Sequence, residues 1–252
     1  MTTNLVELKK IRVGAVSYRN AKPLVYGIAL PEMASTTALS YDYPARLVDQ
    51  LREGSIDIGL IPVAAMAGLP GARMVGSHGI GANGKVGSVA IFSQVPIEEV
   101  EEVILDYQSR TSVALARILL KDYWKRSVRF VPSSGDEYIE KIQGRTAGLI
   151  IGDRALLHTG RFPFVYDLAE GWLGYTGLPF VFAAWVSTRE LPPDFIDDFR
   201  VANEMGLQQL ERLAMEWSLP GVDMKTYFTQ QIKYRLDPHF LVGLQKFQAM
   251  LG

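Results

Sequence analysis

The chain has 252 residues, of which 48% are hydrophobic and 21% charged, with a formal net charge of −1. That length suits a pair of small lobes or one large α/β domain, and the composition is that of a globular protein, not a disordered or fibrous one. Near-zero charge excludes an overall basic field for nucleic acid or an anionic membrane, and the lack of cysteine excludes disulfides, thiolate metal sites and a Cys nucleophile.

Met1 to Lys10 is polar and mixed in charge, without the basic start and apolar core of a secretory signal, and no later stretch is apolar enough to span a membrane. The expected compartment is the cytoplasm, provided no signal has been removed. Ile11 to Val16 predicts a strand and Ala21 to Ile28 a short helix. Tyr43 to Glu53 predicts a helix with Leu47, Val48 and Leu51 on one face, ended by Gly54 just before a strand over Ile56 to Ile61.

A second series follows Pro96. Val103 to Leu105 reads as a buried strand, Asp106 to Arg110 as a loop and Thr111 to Tyr123 as a helix. Val128 to Val131, a helix near Glu137 to Gln143, the strand Ala147 to Ile151 and a helix opening at Asp153 complete it. Helices alternating with apolar strands predict parallel sheets covered by helices. Lys85 to Ser93 and Phe180 to Ser187 are strand-like and stand at the two places where the chain would cross between lobes. From Pro193 to Gly252 the pattern is helical, with Phe195, Phe199, Val201, Leu207, Leu210 and Leu213 as apolar positions. This tail is expected to pack on the first lobe.

Two segments follow predicted strands and carry binding chemistry. In Asp106-Tyr107-Gln108-Ser109-Arg110-Thr111-Ser112, free amides at a helix start, hydroxyls and a guanidinium can converge on a carboxylate. The alternative is that Ser109 or Thr111 merely caps the helix and Arg110 is a surface charge. In Ser17-Tyr18-Arg19-Asn20-Ala21-Lys22-Pro23, Asn20 and Ser17 can orient an alcohol or carboxylate, against the reading that Asn20 caps the next helix.

Gly76 to Ser88 is glycine-rich, and Gly79 to Gly84 matches G-x-G-x-x-G. That dinucleotide fingerprint needs a strand before it and a helix after it, whereas a strand pattern follows here. The segment is expected to be a flexible loop delivering Ser88 to a crossover between lobes. Asp153 in Gly152-Asp153-Arg154 is either a helix cap or a cleft carboxylate. Trp172, Tyr175, Thr176 and Gly177 border the site or simply pack. His78, His158 and His239 show no metal-ligand spacing, and no phosphate-binding loop or serine-hydrolase elbow occurs.

Several unlike motifs in order resemble one family, the futalosine-pathway chorismate dehydratases of menaquinone biosynthesis. They are Val13 to Leu24, Gly87-Ser88-Val89, Leu105-Asp106 with Ser109-Arg110-Thr111-Ser112, Ile151-Gly152-Asp153-Arg154-Ala155-Leu156, and Thr176 to Ala183. The sequence departs from many relatives at Ile61-Pro62-Val63-Ala64-Ala65, where they resemble Ile-Pro-Ser, so Val63 cannot make a hydroxyl contact.

The resemblance implies an α/β, two-lobed type 2 periplasmic-binding-protein-like fold with two crossover strands. Residues 1–90 and 184–252 would form the first lobe and 91–183 the inserted one. It implies loss of water from chorismate to give 3-[(1-carboxyvinyl)oxy]benzoate, a carbon-oxygen lyase reaction with no metal or organic cofactor. Asn20 and Ser88 would orient the reacting groups, with the C3 proton passing to the substrate's own enolpyruvyl carboxylate. Ser17, Ser109, Arg110, Thr111, Ser112, Gly152, Asp153 and Thr176 would bind substrate, Asp153 doubling as an acid or base candidate. Chorismate is then the only partner expected, with no nucleic acid and no membrane, and the oligomeric state is left open, a homodimer included. Rival readings are a non-catalytic carboxylate-binding protein and the sibling 1,4-dihydroxy-6-naphthoate synthase.

Overall fold

The computed structural model describes residues 10–251, so the polar N-terminal stretch read above lies outside the described residues except for Lys10. In chain order, β1 (Ile11–Ala15), α1 (Lys22–Tyr26), β2 (Thr37–Tyr41), α2 (Pro44–Glu53), β3 (Ile58–Pro62) and β4 (Arg73–Ala82) come first. The middle of the chain supplies β5 (Val89–Ser93), β6 (Glu102–Leu105), α3 (Arg110–Ile118), β7 (Arg129–Pro132), β8 (Thr146–Ile151), α4 (Gly152–Leu157), β9 (Phe164–Asp167) and α5 (Leu168–Thr176). It ends with β10 (Phe180–Ser187), α6 (Pro193–Leu207), α7 (Leu210–Glu216), α8 (Met224–Thr226), β11 (Lys233–Arg235) and α9 (Pro238–Ala249).

These strands form two mixed sheets, ordered β11-β4-β10-β3-β1-β2 and β7-β6-β8-β5-β9. β1 runs parallel to β2 and β3, and β6 parallel to β7 and β8, while β10 and β5 run antiparallel to their neighbours. The chain leaves the first sheet after Ala82 and enters the second at Val89; it returns after Asp167, through α5, into β10. The carboxyl ends of β1, β3, β6 and β8 face one another across a cleft, the usual place for ligands in α/β sheets.

Local chemistry explains most elements. α2 buries Leu47, Val48 and Leu51, starts with proline at its first position and ends at Gly54, whose φ of +70° suits glycine. In the tail, Phe199 packs edge-on against Trp185 of β10 with ring centroids 5.1 Å apart. The indole Nε1 of Trp185 donates to Asn203 Oδ1 at 2.9 Å. α6 lies on α1 and β4, and α9 on β10, so the tail packs on the first sheet.

Four expectations are corrected. The glycine-rich segment is for the most part the ten-residue strand β4, not a loop. A Cβ at Gly79 would stand 2.5 Å from the Ala183 carbonyl oxygen, and one at Gly81 2.8 Å from the Phe240 ring. Those glycines admit close neighbours, which the sequence pattern shares with flexibility. β9 and α5 form between α4 and β10, where the sequence pattern predicts no element. The all-helical tail contains an edge strand, β11, paired with β4. Val201, read as an apolar face position, is exposed.

Candidate active site

The cleft holds a cavity walled by apolar side chains from both lobes. Val16, Leu60, Pro62, Ile80, Phe182 and Ala183 come from the first sheet and its connections, Val86 from the first crossover, Val89 from β5 and Ile151 from β8. Few polar groups interrupt this wall: Tyr18, Asn20, Ser88, Gln108, Ser109 and Ser112, with the backbone of Gly152. An apolar pocket with a few convergent polar groups is the common form of a small-molecule site.

Asn20 sits in the 3-10 turn Arg19–Ala21, which carries it from the end of β1 to the cavity. Neither that turn nor α1 has a side-chain cap, so the capping role weighed for Asn20 is not taken. Its Oδ1 is buried without a hydrogen-bond partner among the described residues. Ser88 is 2% exposed and precedes β5. Its backbone oxygen accepts from Gly152 N at 2.7 Å, tying the crossover to the end of β8. Gly152 itself has φ +65°, a left-handed conformation that a side chain would strain.

Across the cavity, Ser109 is the N-cap of α3. Its Oγ accepts from Ser112 N at 3.1 Å and donates to Ser112 Oγ at 2.9 Å. Ser109 thus caps the helix and also lines the cavity. The loop before it is held by Asp106, which accepts from Gln108 N at 2.8 Å and pairs with Arg154 at 2.9 Å. Burial raises the Asp106 carboxyl above the usual carboxylate range, against the opposing Arg154 charge.

The other expected site residues lie elsewhere. Arg110 is exposed and lies outside the cavity lining. Thr111 is buried, and its Oγ1 accepts from Ala64 N of the first lobe at 3.1 Å. Ser17 is exposed and borders a separate hollow with Tyr41 and Tyr43. Thr176 closes the end of α5, donating to the Trp172 carbonyl at 2.8 Å and accepting from Leu178 N at 3.2 Å. Trp172 is fully buried against Phe180 and Phe247. Asp153 pairs with Arg19 across the cleft at 2.6 Å. Val63 is buried and offers the cavity no hydroxyl.

Among the described residues, no cationic side chain lines the cavity. Arg19 and Arg154 are engaged in ion pairs, and Lys22 lies 4.1 Å from the Trp217 ring centroid. Any attraction for an anion would come from dipoles, namely the amides of Arg110 and Thr111 at the start of α3 and the hydroxyl of Ser112, since the Ser112 amide and the Ser109 hydroxyl are already spent on each other's side chains.

Four residues outside the expected set line the cavity or lie behind it. The Tyr18 hydroxyl donates to Gln108 Oε1 at 3.3 Å, joining the lobes over the cavity. Burial pushes its pKa up to about 12. Both residues stand inside the two segments singled out by sequence, but only the fold opposes them. Behind Ser88 and Asn20 lies the buried Tyr227, for which no local sequence signal exists. Asp167 secures the same region: its carboxylate accepts from Val86 N, Gly87 N, Ala169 N and Glu170 N at 2.7–3.1 Å.

Two sheets joined by two crossovers around a ligand-sized cleft define a protein of the periplasmic-binding-protein-like class. Solved structures of this arrangement include protein AF1704 from Archaeoglobus fulgidus, with a TM-score of 0.75, 16% identity and 96% of each chain covered. The periplasmic aliphatic sulphonate binding protein SsuA from Escherichia coli gives a TM-score of 0.63 at 17% identity, covering 96% of this chain and 91% of that one. A family described as "Menaquinone biosynthesis" matches residues 11–252, and the chain belongs to that family. It is similar to the chorismate dehydratase of Thermus thermophilus, 28% identical over 265 residues, covering 95% of this chain and 94% of the relative.

Proposed function

We propose that this protein is a chorismate dehydratase, eliminating water from chorismate to give 3-[(1-carboxyvinyl)oxy]benzoate. The observation that carries the reading is the meeting of Asn20 and Ser88, from different segments, in one largely apolar cavity that also holds the start of α3. Membership of the menaquinone biosynthesis family and similarity to a chorismate dehydratase support it.

The elimination breaks the C3–H and C4–O bonds and leaves an aromatic ring, so its products are the benzoate and one water. Neither an amide nor a serine hydroxyl is a base near neutral pH. In this reading the substrate's enolpyruvyl carboxylate takes the C3 proton and passes it to the departing C4 hydroxyl, which leaves as water, while Asn20 and Ser88 hydrogen-bond that oxygen. Such donors act most strongly where water is excluded. The ring carboxylate is held by the unpaired amides at the start of α3 and the Ser112 hydroxyl, and the apolar walls hold the ring in the reacting pose.

Incubating the purified protein with chorismate and identifying products by mass and proton NMR tests the reading. Formation of 3-[(1-carboxyvinyl)oxy]benzoate supports it. Saturable binding without turnover would support a binding protein instead.

A further inference from the structure

The floor of the cleft contains a polar group that the reaction scheme above leaves unused. Tyr227 opens the π-helical turn Tyr227–Gln231, between α8 and β11, and is 1% exposed. Single π turns recur at functional positions. Its hydroxyl has no hydrogen-bond partner among the described residues, and leaving a buried hydroxyl unpaired is costly. It lies beside the side chains of Ser88 and Asn20. Asn20 Oδ1 is the complementary case, a buried acceptor likewise without a partner.

The three groups are supplied by distant parts of the chain: the turn after β1, the first crossover and the C-terminal tail. Asn20 and Ser88 line the cavity, whereas Tyr227 lines a second hollow on the far side with Lys85, Asp167 and Asp223. Tyr227 therefore reaches the substrate only through its two neighbours. Burial, together with the charges of Asp153 and Asp167, raises its pKa. The phenol is neutral at physiological pH and can serve as a donor.

We infer that Tyr227 is a positioning residue for the dehydration: its hydroxyl donates to Asn20 Oδ1 when substrate is bound, fixing the amide so that Nδ2 faces the cavity beside the Ser88 hydroxyl. An asparagine amide is free to present either end, and only the nitrogen end can hydrogen-bond a departing oxygen as a donor. Pairing the oxygen end with a buried phenol selects the productive orientation. The inference rests on the dehydratase reading.

Tyr227→Phe tests it, because that change deletes an unpaired hydroxyl and keeps the ring, so the variant folds as the wild type does. With chorismate as substrate, kcat is expected to fall 10- to 100-fold while KM stays within about twofold. The double variant Tyr227→Phe with Asn20→Ala is expected to be no slower than Asn20→Ala alone, since the hydroxyl acts through the amide. An unchanged kcat in Tyr227→Phe, or a fully additive double variant, overturns the inference and leaves the dehydratase reading standing. A wild-type protein that leaves chorismate intact overturns both.

Discussion

Arg19 and Asp153 meet across the cleft at 2.6 Å, one from the turn after β1 and the other from the start of α4. Arg19 is also anchored on the first lobe through its Nε, which donates to the Trp217 carbonyl at 3.1 Å. Together with Tyr18–Gln108 and Ala64–Thr111, this pair holds the lobes closed over the cavity. Asp153 thereby has a structural partner in Arg19.

Both partners are about one-third exposed, so the pair is worth about 1 kcal/mol or less. Asp153→Asn is expected to raise KM for chorismate up to about fivefold while kcat changes less than about threefold. Steady-state kinetics decide the matter: a kcat loss of about 100-fold would return Asp153 to the chemistry.

Asn20→Ala and Ser88→Ala are expected to lower kcat by about 100-fold each, the usual scale for removing a donor to developing charge. Both variants should remain folded, with thermal midpoints near that of the wild type. Arg110→Ala is expected to leave both constants within about twofold, because Arg110 is exposed and outside the cavity. A large rise in KM for Arg110→Ala would show that the α3 helix turns toward the ligand.

Asp167 joins both crossovers by accepting from Val86 and Gly87 on one side and from Ala169 and Glu170 on the other. Asp167→Asn replaces one carboxylate oxygen with a donor facing two amides. The expected cost is about 3 kcal/mol, measured by urea unfolding. Unfolding at the wild-type urea midpoint would contradict the clamp.

Glu204 links the tail to the first sheet, accepting from Arg235 Nε at 2.9 Å and lying 2.7 Å from His78 Nε2. The Arg235 hydrogen bond, opposed by burial and aided by His78, pulls its carboxyl down to about 2. A carboxyl lowered in the folded state stabilises above its unfolded value and loses that contribution as pH falls towards 2. At pH 7, Glu204→Gln is expected to cost about 1–2 kcal/mol, discounted for solvent screening at the exposed Arg235. Unfolding midpoints of the two proteins should converge between about pH 4.5 and pH 2; a gap that stays constant across that range would remove the ionic contribution.

Most of the α/β alternation was legible in the sequence because periodicity reports which face of an element is buried. The helix with Leu47, Val48 and Leu51 on one face, closed by Gly54, formed as read. β4 was misread because Gly79 and Gly81 signal backbone closeness and flexibility alike, and only the neighbouring Ala183 and Phe240 decide between them. Of the candidates read from the sequence, Asn20, Ser109 and Ser112 follow strands and Ser88 precedes β5, and all four line the cavity. Within those segments the pattern could not tell which way each side chain turns. Thr111, one residue from Ser112, points to Ala64 instead of the cavity. Tyr227 was invisible because its meaning depends on two residues more than a hundred positions away.

The central claim is tested most directly by following chorismate with the purified protein by proton NMR. The account predicts loss of chorismate with equimolar appearance of 3-[(1-carboxyvinyl)oxy]benzoate, in proportion to enzyme added. Chorismate that persists unchanged beside folded protein would contradict it.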